Sequence, residues 1–157
     1  MSLHPMTSTY RIIFFAGFLF YATGSVGQPV KSVQWFFNYE YLNRHEAILI
    51  ITARIAPGWH LYSQYMEEGG PQRTRIEFKE SSDFILVGKA EEKGNRDVFH
   101  DELYEMEIAW FSGEVSFEQR IYFTKPQLKV QGMIEYMACD NHMCVPARQA
   151  IYFDLHR

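Results

Sequence analysis

Cysteine is scarce: the 157 residues hold two, Cys139 and Cys144. That excludes a disulfide-dense scaffold and any zinc site built from four thiolates. Long apolar runs are also missing. The longest, Ile12 to Ala22, falls short of the roughly 18 residues a membrane-spanning helix needs. Basic charge does not dominate, since 15 Lys and Arg face 19 Asp and Glu. Nothing in that balance suggests a nucleic acid or an anionic membrane surface as partner. There is no P-loop and no G-x-S-x-G, and His45-Glu46 is followed by Leu49 rather than by the second histidine of a zinc-protease motif. Nucleotide chemistry and conventional hydrolysis therefore have no foothold.

What is present begins with a leader. Arg11 precedes the apolar run, and Thr23, Gly24, Ser25 and Gly27 follow it. A charged segment, an apolar segment and a small-residue cleavage site describe a secretory signal over residues 1–27, with cleavage leaving Gln28 first. A retained membrane anchor is the alternative. No cysteine stands near the junction, so lipoprotein processing is not expected. The remaining residues 28–157 suit one domain with its own core. Export would place both cysteines where disulfides form and persist.

After residue 32 the apolar residues alternate with a period of two. Val33, Trp35, Phe37, Tyr39 and Tyr41 share one face, and Glu46–Ala56 is dense enough for a central strand. Further strands are expected at Trp59–Ser63, Arg73–Lys79, Phe84–Lys89, Tyr104–Trp110, Val115–Phe123, Leu128–Ala138 and Gln149–Leu155, with Ser112-Gly113 as a turn. Eight or nine such strands predict an all-β, antiparallel β-sandwich. The irregular segments, where function tends to sit, are Tyr65–Gln72, the polar stretch Glu91–Glu102 and the cysteine loop.

The cysteine loop admits three chemistries. As a staple the pair is weak, because closing a six-residue ring contributes only about 2 kcal/mol. As a metal clip, Cys139, His142, Met143 and Cys144 offer soft ligands for copper or zinc. His45, His60, His100 and His156 are scattered, however, and no second cluster completes a tetrahedron. As a redox pair, the loop needs one accessible sulfur with thiolate character. His142 would support a thiolate and Asp140 would oppose one at Cys139, which favours Cys144 as the exchanging sulfur. The C-x4-C spacing between strands is not the C-x-x-C that opens a thioredoxin helix.

The stretch "GMIEYMACDNHMCVP" and the strand after it resemble the end of the periplasmic N-terminal domain of DsbD, the bacterial thiol:disulfide interchange protein. "APGWHLYS", residues 56–63, is similar to the Gly-aromatic-x-Leu-Tyr strand of that domain, and "RDVFHDELYEMEI" to its cap-loop segment. The likeness covers most of residues 33–155 and implies an immunoglobulin-like fold. It further implies that Cys139 and Cys144 are the redox pair, with Cys144 forming mixed disulfides. Phe99 would be the cap phenylalanine, Asp97 the acidic residue before it, and Tyr62 and His60 the aromatic lining.

The implied partners are thioredoxin-like redox proteins and a membrane electron donor on a separate chain, because neither a transmembrane region nor a thioredoxin domain follows the sandwich. No cofactor, no nucleic acid and no stable membrane insertion are expected, and the module is expected to be monomeric, periplasmic or secreted. The family pattern is broken where Pro146 stands alone instead of in a proline pair. Two readings remain beside it. One is a copper- or zinc-binding sandwich using Cys139, His142 and Cys144; the other is a noncatalytic sandwich that binds a protein or glycan.

Overall fold

The computed structural model describes residues 32–156. The expected signal segment, residues 1–27, lies outside the described residues. Eight strands and no helix make up the described chain: β1 Val33–Tyr41, β2 Glu46–Ile55, β3 His60–Tyr62, β4 Arg75–Phe78, β5 Phe84–Asp101, β6 Met106–Phe123, β7 Gln127–Cys139 and β8 Cys144–His156. Among the described residues no helix is long and apolar enough to cross a membrane.

All pairings are antiparallel, in the order β1-β2-β6-β3-β7-β4, with β5 on β6 and β8 on β7. The continuous ladder curls on itself because β6 serves both halves. Its residues 114–122 pair with β2, while Trp110 and Phe111 pair with β3. β3 in turn hands over to β7 through His60 and Leu61. The two layers close on one core, in which Trp35 of β1 meets Tyr136 of β7 at 5.2 Å and Phe37 meets Phe153 of β8 at 5.7 Å. Alternation works as expected here: Leu49, Ile51 and Ala53 of β2 are fully buried, as are Phe117 and Ile121 of β6. The chain is thus an all-β, immunoglobulin-like antiparallel sandwich.

Two segments depart from the sequence reading. Glu91–Glu102 is not a loop: β5 continues through it to Asp101, with Phe99 opposite Ile108 and Asp97 opposite Trp110. Its polar composition reflects an edge strand, paired with β6 on one side and facing solvent on the other, not irregular backbone. Ser112-Gly113 is likewise not a turn. There β6 bulges, setting Ser112, Gly113 and Glu114 against Asn95 alone. Gly113 takes φ +76°, a conformation open to glycine at little cost, so the strand bends without ending.

A second bulge sets Gly88, Lys89 and Ala90 against Gln119. The buried Gln119 amide donates to the carbonyls of Val87, Gly88 and Arg120, which satisfies groups that the ladder leaves unpaired. The two bulges bend the paired β5 and β6 without interrupting them. On β7, Gly132 lies so close to β4 that a Cβ would meet the Glu77 carbonyl oxygen at 2.3 Å.

Candidate functional site: the disulfide hairpin and its aromatic wall

The cysteines end two paired strands. Cys139 closes β7 and Cys144 opens β8, directly opposite each other in the register. The Asp140 amide donates to the Met143 carbonyl at 2.9 Å, so the next pair inward does not share ladder hydrogen bonds. Such pairs stand closest in an antiparallel ladder, and the Cα atoms are 4.1 Å apart. A disulfide joins the two sulfurs.

The turn is held by its own carboxylate. Asp140 Oδ1 accepts from the backbone amides of His142 at 2.7 Å and Met143 at 2.8 Å. Those two bonds hold the Asp140 carboxyl below its usual range, helped by the charges of His142 and His60. The bond itself adds little to the fold, about 2 kcal/mol for so small a ring, against the 5–15 kcal/mol typical of a domain. The two sulfurs differ in surroundings: Cys139 is 1 % exposed, whereas Cys144 lies on the surface with the rest of the turn.

Cys139 belongs to a small apolar cluster separate from the main core, together with Tyr62, Met66, Ile108 and Ala109. Strands β3, β6 and β7 deliver these groups, with Met66 from the connection after β3. The turn Ala56–Trp59, closed by the Trp59 amide on the Ala56 carbonyl and with Gly58 at φ +80°, has the type II pattern that Pro57-Gly58 favours. It leads straight into β3, where His60 pairs with Cys139 and Tyr62 with Trp110. β3 is pinned from its other end by the Ser63 hydroxyl donating to Glu92 and the Thr74 hydroxyl donating to the Tyr62 carbonyl.

The result is a wall of rings beside the buried sulfur. Phe99 packs on Trp110 with ring centres 4.5 Å apart, and Trp110 lies against His60 at 4.0 Å. The His60 ring meets Tyr62 edge-on, with Nε2 3.4 Å from the Tyr62 hydroxyl. Burial raises the Tyr62 phenol pKa, as do Tyr104 and Asp101 of the β5–β6 tip. That tip is shaped by Asp101, whose Oδ1 accepts from the amides of Leu103 and Tyr104. Leu103 is 83 % exposed at its apex.

Cys139, His60, Tyr62 and Phe99 are therefore brought together. Asp97 is exposed and shares the Phe99 face of β5. His142 and Met143 lie in the exposed turn. Among the described residues no group of three or more His, Cys, Asp and Glu could hold a metal ion, and both cysteine sulfurs are bonded to each other. Trp110 was not singled out by the sequence, where it reads as one more alternating apolar residue. A signal existed: aligning Asp97–Asp101 against Met106–Trp110 about a turn at Asp101 would have set Trp110 diagonal to Phe99.

The family model for the thiol:disulfide interchange protein DsbD, N-terminal, matches residues 27–155. Solved structures resemble the fold, among them the following two. The N-terminal periplasmic domain of ScsB from Proteus mirabilis is 19 % identical, with TM-score 0.55, over 80 % of this chain and 47 % of that one. The chain thus spans about half the length of that relative. The DsbD N-terminal domain of Neisseria meningitidis, solved in complex with the PilB N-terminal domain, is 14 % identical, with TM-score 0.50, over 83 % of this chain and 87 % of that one. No curated protein sequence matches.

Proposed function

The chain belongs to the DsbD N-terminal domain family, and from that premise we propose that it passes reducing equivalents between a thioredoxin-like protein and disulfides of exported proteins. The carriers are Cys139 and Cys144. One observation supports this most: a short-ring disulfide of little structural value joins a buried sulfur to a surface cysteine. A bond placed for stability would span a long stretch of chain; a bond placed for exchange leaves one end reachable.

Roles follow from surroundings. Cys144 forms the mixed disulfide, and Cys139 is the resolving sulfur, sheltered by its cluster. Phe99 and Trp110 form the side of the site that restricts entry, with Tyr62 beneath and Asp97 on the edge strand β5. The complex solved for the Neisseria meningitidis domain supports a protein partner. The module works outside the cytoplasm, after removal of residues 1–27, and a membrane electron donor keeps its thioredoxin-like partner reduced.

Exchange is the test. The purified, oxidised chain is incubated with a reduced C-x-x-C protein, quenched with an alkylating reagent and weighed intact. Two labels per chain are expected, formed without loss of the folded signal by near-ultraviolet circular dichroism. Labels that arise only under denaturing conditions would contradict the proposal.

A further inference from the structure

The buried end of the disulfide raises a question of proton balance. When Cys139 attacks the mixed disulfide at Cys144, it must first lose its thiol proton, inside an apolar cluster where water has little access. Burial disfavours a bare thiolate. A base close to the sulfur is therefore required, and β3 supplies one.

His60 and Cys139 are direct partners in the β3–β7 register. Side chains of such a pair leave the sheet on the same face, with Cβ atoms roughly 4.5–5.5 Å apart. The imidazole is half-buried, held against Trp110 at 4.0 Å and beside the Tyr62 hydroxyl at 3.4 Å. Those contacts restrict where the ring can go. Resting on the interchange reading above, we infer that His60 is the proton acceptor for Cys139 in the resolving step and returns that proton when the disulfide is opened again.

The step balances. His60 takes the proton from the Cys139 thiol, and the thiolate attacks Cys144 Sγ. The Cys139–Cys144 bond forms, the bond from Cys144 to the partner sulfur breaks, and the partner departs as thiolate with the electron pair. The partner's disulfide is reduced and the module's thiols are oxidised. In the reverse direction, Cys139 leaves as thiolate and takes the proton back.

The groups around His60 set its state. Burial lowers its pKa and the Asp140 carboxylate opposes that shift. Tyr62 stays protonated, since burial and the Tyr104 and Asp101 groups raise its own value. Trp110 and Phe99 carry no titrating group, and the Asp140 carboxylate itself lies beside the His142 charge. The balance leaves the imidazole neutral at neutral pH, which is the form that accepts a proton.

The test isolates the resolving step. The reduced chain is converted to its Cys144 mixed disulfide with thionitrobenzoate, and release of the coloured thiolate is followed from pH 4.5 to 9. The parent should show an inflection below the ordinary histidine value of about 6.5. His60→Gln should lose that inflection and slow release at pH 7 by about a hundredfold, the lower end for a positioned general base. His100→Gln, at an exposed histidine of β5 outside the wall, should keep both the inflection and the rate, which ties them to His60. Equal rates and matching pH profiles in parent and His60→Gln would overturn the inference while leaving the interchange reading intact. If the parent releases no thionitrobenzoate at all, the interchange reading falls instead.

Discussion

Cys139→Ser is expected to trap a mixed disulfide through Cys144 with a C-x-x-C protein lacking its resolving cysteine, while Cys144→Ser traps at least about tenfold less. The difference follows from access. Exchange proceeds by in-line attack on a sulfur that a protein thiolate can reach, and Cys144 lies on the surface whereas Cys139 is 1 % exposed among Tyr62, Met66, Ile108 and Ala109. The Asp140 carboxylate, folded over the amides of its own turn, stays anchored in either variant and keeps the hairpin in shape. Non-reducing electrophoresis of the trapped species, with the adduct mapped by mass, decides it. Trapping in the opposite order would reverse the assignment of the two sulfurs. Trapping by neither variant would remove the case for exchange.

Phe117→Ala is expected to destabilise the domain by about 3–5 kcal/mol, the usual cost of emptying a buried phenylalanine site. Phe117 is fully buried on β6, facing Trp35 at 6.0 Å, with Ile51 across the β2 ladder. Neighbours fixed on two paired strands cannot collapse far into the space left behind. The site stands in a different cluster, so the disulfide should still be present in what remains folded. Thermal melting should fall by about 10–20 °C, with unchanged alkylation of the folded form. A loss under about 1 kcal/mol would mean that the core is not closed around β6 as described.

Much of this molecule was legible because period-two burial leaves a direct trace in sequence. β1 read off as alternating faces and β2 as a dense apolar run, and the sandwich followed from the spacing of strands. The distal half of β5 did not, because an edge strand with exposed side chains has the composition of a loop. The bend of β6 at Ser112-Gly113 had the composition of a turn, and only pairing with β5 distinguishes a bulge from a reversal. The cysteine pair was legible from its spacing between two strands and from the resemblance of its loop to the DsbD N-terminal domain. The wall around it was less so: His60 meets Cys139, and Trp110 meets both His60 and Phe99, only where β3, β5, β6 and β7 come together. Register is a property of the folded sheet, and one sequence does not print it.

The reduction potential of the Cys139–Cys144 pair, measured on the folded chain in glutathione or dithiol buffers with intact-mass readout, tests the central claim most directly. An interchange disulfide is expected between about −270 and −120 mV, the span of proteins that pass electrons through thiols. A value below about −300 mV, where structural disulfides of secreted proteins lie, would contradict it.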